Sequence, residues 1–418
     1  MNWPEVDFES LFSTPSRNGV YKSKEHHGSG VPIVNMGELF AFNRIGDQAM
    51  SLIRMSDAEM EKSGLADGDL LFGRRSLVEE GAGKCSMVYK PTGPLTFESS
   101  IIRVRLDRTV ADPEFFFNYF RSPIGRSRIR AIVGGAAVKG IRGSDLKQIK
   151  VHVPPLGEQI AIRQVVAVYD DLIATNQRRI ALLEDAARRL YREWFVHLRF
   201  PGHESVPVND GVPEGWQLLT MSDVCDAVGG GTPSTSHPEY WGGDVVWVTP
   251  TDVTRNDCLA LLESEKKITE AGLANSSAKL VPAETILMTS RASIGFFALM
   301  DKPACTNQGF ISVIPKQGNA RMFLLFNLLG RVEEMIGLAT GATFKELSKK
   351  TFRALPVLWP TAPLLEFFEY RTFPLIQQVR LIKKQTQELA RARDLLLPKL
   401  MSGQLDVSGI RLPEGVAA

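Results

Sequence analysis

Two stretches of this chain, 206 residues apart, carry one pattern. GGAAVKGI at Gly134–Ile141 returns as TGATFKEL at Thr340–Leu347, matching Gly135 to Gly341 and Lys139 to Lys345. The offset then holds from Pro154 and Pro360 through Leu190 and Leu396, roughly 60 residues in step without a gap. Upstream it drifts. Leu70-Leu71 matches Ile286-Leu287 at 216 and Val34 matches Val248 at 214, as expected when shared elements are joined by loops of unequal length. A duplicated chain folds each copy alike and presents two similar surfaces.

Each copy reads as a mixed globular part followed by one long helix. Short apolar runs at Val31–Val34, Leu70–Phe72 and Ile101–Val104, and again at Val245–Val248, Thr285–Met288 and Phe310–Ile314, are divided by Gly, Pro, Asp and Asn. That is strand and turn chemistry. Pro113–Tyr119 and Ala320–Leu329 have the apolar density and the starting residues of short packed helices. The expected fold class is α+β, with tandem α/β domains at 1–153 and 206–358, helical segments at 154–205 and 359–410, and a tail at 411–418.

The long helices carry seams. The first steps by fours and threes through Ile162, Val166, Tyr169, Ile173, Asn176, Ile180, Leu183, Ala187, Leu190 and Trp194. The second does so through Leu375, Val379, Ile382, Thr386, Leu389, Arg393, Leu396 and Leu400, with Pro374 expected to break or kink its start and Pro398 near its end. Such spacing is that of a coiled coil, and the intervening domain lets the chain reverse, so an intramolecular antiparallel pair is the simplest arrangement. Asn176 and Arg393 are polar intruders that fix register or else mark frayed positions. At 1.5 Å per residue such helices make a rod of roughly 50 Å, longer than the ~34 Å of one DNA turn. A DNA reader with two heads and a spacer between two protein-binding modules both fit.

Composition and charge exclude more than they assign. The 44% hydrophobic and 23% charged content is that of a globular protein, and no apolar run has the length of a membrane span. MNWPEVDFES lacks the features of a signal peptide, which makes the cytoplasm the expected location. The cysteines, Cys85, Cys225, Cys258 and Cys305, show neither zinc spacing nor a disulfide framework. Net charge is only +2, yet Arg121, Arg126, Arg128, Arg130, Lys139, Arg142, Lys147 and Lys150 face one acid, Asp145, in the same interval. A phosphate-binding surface has such a footprint, and so does a solvated helix face. There is no P-loop, no GxGxxG after a strand, no Asn-Pro-Pro-aromatic box and no acid–base or nucleophile constellation. The chain reads as a binder, not an enzyme.

Four motifs then resemble one family. GGGTPSTSHPEYWGGDVVWVTPTDV at Gly229–Val253, with its lead-in PEGWQLLTMSDVC, resembles a target-recognition domain of the specificity subunit of Type I restriction-modification systems. PPLGEQIAI at Pro154–Ile162, IALLEDAARRLYREWF at Ile180–Phe195 and LARARDLLLPKLMSGQLDV at Leu389–Val407 are similar to its helical conserved regions. The resemblance implies a non-catalytic subunit whose two domains each read half of a split, asymmetric DNA site and whose paired helices set the gap. It implies docking of two modification (methyltransferase) subunits and of motor-nuclease subunits where these exist. S-adenosylmethionine and ATP/Mg would be held by those partners, with no cofactor or metal in this chain. Lys22–Gly30 does not reproduce GGGTPSTS, so the two half-sites are expected to differ.

Candidate DNA contacts follow from strand ends and the repeated glycine segment. They are Thr249, Thr251, Asp252, Ser290, Arg291 and Lys345 in the second copy. Position matching adds Asn35, with Gly37 and Glu38, then Arg74, Arg75 and Lys139 in the first; Arg142 belongs to the basic cluster. Short polar side chains and arginines can reach base edges or phosphates; turn residues and surface charges look the same. Gly135 and Gly341 suit a tight turn. The aromatic helix ends, Tyr191, Trp194, Phe195, Phe367, Phe368 and Tyr370, are the candidate partner-docking surface, with core packing as the rival use.

Overall fold

The computed structural model describes residues 3–135, 138–341 and 343–407. The expected tail 411–418, the last residues of the second helical segment (408–410), and Ala136, Ala137 and Ala342 of the glycine segments lie outside the described residues. The chain forms two compact units, Met1–Leu172 with Leu389–Ala418, and Ile173–Glu388. Each long helix therefore contributes one part to each unit.

The duplication extends to the topology, with one added edge strand, Arg44–Ile45, in unit 1. Unit 1 has a sheet ordered Phe12–Asn18, Ile101–Leu106, Leu70–Gly73, Cys85–Val88 and Arg44–Ile45; unit 2 has Cys225–Gly229, Phe310–Pro315, Ile286–Thr289 and Phe297–Leu299 in the same sequence of neighbours. A second sheet places His27–Val34 between Leu52–Ile53 (antiparallel) and Thr96–Phe97 (parallel), and its counterpart places Trp241–Val248 between Lys266–Ile268 and Cys305–Thr306. Even the irregularity is copied. The register slips between His27 and Val31 in one copy and between Trp241 and Val245 in the other, 214 residues on. Bulges of this kind re-aim a strand, and here both bulged strands run into the same capped turn.

Aromatic residues fill unit 1. Asp112 caps the helix Pro113–Arg121, its carboxylate accepting from Phe115 N–H at 2.8 Å, and the helix buries Phe115, Phe116 and Phe120. Phe8 and Phe72 meet Phe120 edge-on at centroid distances of 4.8 and 5.0 Å. The equivalent helix of unit 2, Arg321–Leu329, supplies Phe323 and Phe326 to its own core.

The helices, Leu156–Tyr191 and Ala362–Met401, run antiparallel within each unit. In unit 1, Ile162 and Val166 share a core with Leu397 and Leu400. In unit 2, Ile180 clusters with Val379 and Ile382, and Tyr191, farther along, meets Phe368, farther back, at 6.2 Å. Most of the seam residues are buried or half-buried, including Asn176, though Ile376 is more deeply buried than its seam neighbour Leu375. The polar intruder Arg393 reaches Asp170 at 2.7 Å within unit 1. Neither Pro374 nor Pro398 ends the second helix. A proline removes one backbone hydrogen bond, and a helix packed through Phe368, Thr372, Ile376 and Val379 absorbs that loss. All four cysteines are buried free thiols, and no helix among the described residues is long and apolar enough to cross a membrane.

Candidate nucleic-acid interface

In both units the central strand runs out of the sheet into a short ribbon formed with the glycine segment. Ser76 and Arg75 pair with Lys139 and Gly140, and Ile141 N–H donates to the Arg74 carbonyl at 3.0 Å. The second copy repeats this: Arg291 bridges Glu346, and Leu347 N–H donates to the Ser290 carbonyl at 2.9 Å. Each segment closes on itself through Gly134 with Gly140, and Thr340 with Glu346. The turns need glycine. Gly135 and Gly341 have φ of +101° and +130°, and a Cβ at either would stand 2.2 Å from the carbonyl oxygen of Val138 or Phe344. The structure thus brings Arg74, Arg75 and Lys139 together, and likewise Ser290, Arg291 and Lys345.

Along the sheet's edge strand in each unit lies a cleft. In unit 1 it encloses about 300 Å³ and is lined by Arg17, Arg74, Arg142 and Lys147 among others. In unit 2 it encloses about 420 Å³, with Lys279, Lys349 and Arg353 around Asp226. Lys147 and Arg353 are equivalent at the 206 offset. Concave cationic walls focus negative charge, which suits a phosphate backbone. Arg17, Lys279, Lys349 and Arg353 were not among the sequence candidates. Arg353 could have been found from its match to Lys147, whereas Arg17 has Val228 as its structural counterpart and leaves no repeat signal.

Other candidates have structural duties. Asn35 and Glu38 form a capping box, Asn35 N–H donating to the Glu38 carboxylate at 2.9 Å. Thr249 and Asp252 form its equivalent: the Thr249 N–H and hydroxyl both donate to the Asp252 carboxylate at 2.7 Å. Asp252 also accepts from Glu265 N–H at 3.0 Å. Thr251 is exposed within the second turn, as Gly37 is within the first. Ser290 is 2% exposed, a strand residue walled in by the ribbon, while Arg291 and Lys345 are exposed.

The basic run from Arg121 to Lys150 does not form one surface. Arg128, Lys147 and Lys150 pair with Glu5, Glu9 and Asp7 at 2.6, 2.7 and 2.9 Å. Arg126 donates to the Gly83 carbonyl at 3.0 Å. Arg121 lies 4.8 Å over the Phe117 ring, where burial lowers its pKa. Arg130, Arg142 and half-buried Lys139 keep surface exposure.

The aromatic helix ends need a sharper correction. Tyr191, Trp194, Phe195 and Phe368 belong to the core of unit 2, with Phe195 and Phe368 edge-on at 4.9 Å. The Tyr191 hydroxyl accepts from the Asn327 amide at 3.0 Å, and burial pushes its pKa up to about 12. Core packing, the rival use, is what these four do. Phe367 stacks at 5.4 Å on Trp194 yet stays partly exposed, and Tyr370 is 72% exposed. The exposed apolar residues of the helices also include Leu182 and Leu381, which the seam pattern does not single out.

Residues 2–185 and 213–363 match the Type I restriction modification DNA specificity domain, and the chain belongs to that family. It is 35% identical over 167 residues to the Type I restriction enzyme MjaIX specificity subunit of Methanocaldococcus jannaschii, an alignment covering 38% of this chain and 39% of that one. It is 21% identical over 415 residues to the HindI specificity subunit of Haemophilus influenzae, covering 82% and 88%. The crystal structure of a Type I system S subunit from M. genitalium has the same fold, with a TM-score of 0.58 at 17% identity over 96% of both chains. The chain is a DNA-recognition subunit, and not the catalyst, of a Type I restriction-modification system.

Proposed function

We propose that each unit reads one half of a split, asymmetric DNA site through its ribbon and its cationic cleft. The observation that carries this is the recurrence of one glycine-turned ribbon and of a basic cleft along the edge strand in both copies of a DNA-specificity chain. Arg74, Arg142 and Arg17 in unit 1, and Lys279, Lys349 and Lys345 in unit 2, are the phosphate-holding candidates. Arg75, Arg291 and Thr251, exposed on the ribbons and the second turn, would contact base edges. Asn35, Glu38, Thr249 and Asp252 would set the turns on which such residues stand.

Two modification subunits would dock on the exposed apolar residues of the helices, Leu182, Leu381, Phe367 and Tyr370, and bring S-adenosylmethionine; motor-nuclease subunits, where present, would bring ATP and Mg. The assembly would work in the cytoplasm. The test is binding by the chain with its modification subunits: one asymmetric split sequence should be held at least about 100-fold more tightly than scrambled duplex, with affinity falling steeply as salt rises. Equal affinity for all duplexes, or none, refutes the reading. Sequencing methylated adenines in a host carrying the pair would return both half-sites and their gap.

A further inference from the structure

The ribbon tips carry apolar side chains that the fold does not bury. One residue beyond the Ser76–Lys139 pair stand Leu77, 86% exposed, and Val138, 48% exposed, with exposed Val78 next along. In unit 2 the residue matching Val138 is Phe344, 59% exposed, and Phe296 is exposed as well. A single exposed apolar residue is ordinary on a monomer. Val138 and Phe344 recur at one place in both copies, three residues beyond a glycine whose conformation only glycine adopts without strain. Each tip also wears a collar of cations: Arg75 and Lys139 on the first, Arg291 and Lys345 on the second. Arg291 has Glu346 at 3.9 Å, whereas Arg75, Lys139 and Lys345 have no ion pair among the described residues. An apolar protein partner would cover these three and leave their charges desolvated and unpaired, which costs several kcal/mol. Duplex DNA satisfies both parts at once. Phosphates neutralise the collar, and an apolar side chain can enter between base pairs from a groove.

We propose that Leu77 with Val138 in unit 1, and Phe344 in unit 2, are wedges that enter the base stack, each partly unstacking one step of its half-site. This rests on the reading that the ribbons face DNA, and it adds how they engage it: by opening the stack as well as by touching base edges. The larger Phe344 opens its step more widely than the Leu77–Val138 pair.

The test uses the full chain assembled with its modification subunits and a synthetic duplex selected from random sequence by that complex. The fluorescent adenine analogue 2-aminopurine replaces bases one at a time across both half-sites. The expected result is a rise in fluorescence at one step per half-site. L77S with V138S should remove the rise in the first half-site only and F344S in the second only, each weakening binding about tenfold. All three positions are exposed, so unchanged thermal unfolding confirms that the variants remain folded. Specific binding with no responsive position, or variants that bind and fluoresce like the parent, overturns the wedge and leaves the DNA reading intact. Variants that fail to assemble with the modification subunits before DNA is added assign the tips to a protein contact and overturn it too. Absence of sequence-specific binding by the parent complex removes the DNA reading and the wedge together.

Discussion

The two units share what the backbone requires and differ in what faces outward. Strand order, the bulge, the capping box and the positive-φ glycine recur. Arg74 lines the first cleft, whereas its counterpart Ser290 is buried; Arg17 stands where unit 2 has Val228; and Asp226 intrudes among the cations of the second cleft. A glycine at φ +101° or +130° has no substitute, and a cap needs an acceptor at a fixed place. A side chain on a cleft wall has neither restriction. One frame can thus present two surfaces of different chemistry.

The aromatic ends of the helices give the largest effect by which this comparison can be broken. Phe368→Ala should destabilise the protein by about 3–5 kcal/mol, since the ring contacts Tyr191, Trp194, Phe195 and Phe326 in the core of unit 2. Phe120→Ala should do the same for unit 1. Tyr370→Ala, at the exposed flank, should stay within about 0.5 kcal/mol. Denaturant unfolding of the variants checks all three. A Phe368→Ala protein as stable as its parent would return that ring to the docking surface.

Binding sharpens the comparison next. Removing two cations from the first cleft (Arg74→Ala with Arg142→Ala) should lower the slope of log affinity against log salt by about 2 and weaken binding roughly tenfold to a hundredfold. Lys279→Ala with Lys349→Ala should do so in the second cleft. Loss from the first pair alone would mean that Asp226 keeps phosphate out of the second cleft and that unit 2 binds elsewhere.

How much of this was legible in the sequence depends on the range of the interaction concerned. The seams, the strands around Leu70 and Ile286 and the turns at Gly135 and Gly341 rest on local geometry, so periodicity and glycine placement reveal them. Phe368 and Tyr370 sit two residues apart on one helix, and only the domain laid over one face separates a core ring from an exposed one. The basic run misled for a similar reason. Arg128 finds Glu5 across 123 residues of chain, and Lys147 and Lys150 find Glu9 and Asp7 on the same N-terminal segment. Asn35 and Thr249 followed strands as a reader's residues would, but N-caps follow strands too.

The helix seam offers a smaller contrast. In unit 2 it is apolar at Ile180, Val379 and Ile382, whereas in unit 1 Arg393 meets Asp170 at 2.7 Å with both side chains four-fifths buried. Arg393→Ala should cost about 1–2 kcal/mol by leaving Asp170 unpaired, and the double variant with Asp170→Ala should recover part of it. Additive losses in that double-mutant cycle would mean that the pair does not couple the helices.

The smallest effect is confined to one unit. Ser56 caps the helix Asp57–Ser63, with Glu59 completing a capping box. The hydrogen bond from Lys22 at 2.7 Å, followed by those from Ser56, lowers the Glu59 pKa from 4.5 to about 2. The equivalent helix of unit 2 is capped by Thr269 and has Gly272 at the matching position, where a Cβ would meet the Tyr240 carbonyl oxygen at 2.5 Å. Unit 2 therefore has no carboxylate to titrate there. A carboxylate depressed in the folded state stabilises it fully above the unfolded pKa of 4.5, and that contribution is lost as pH falls through about 2. Between those values the parent should lose stability relative to Glu59→Gln, and below about pH 2 the two should unfold alike. Parallel pH profiles for parent and variant would show that Lys22, in the segment leading into the strand His27–Val34, does not hold that segment through Glu59.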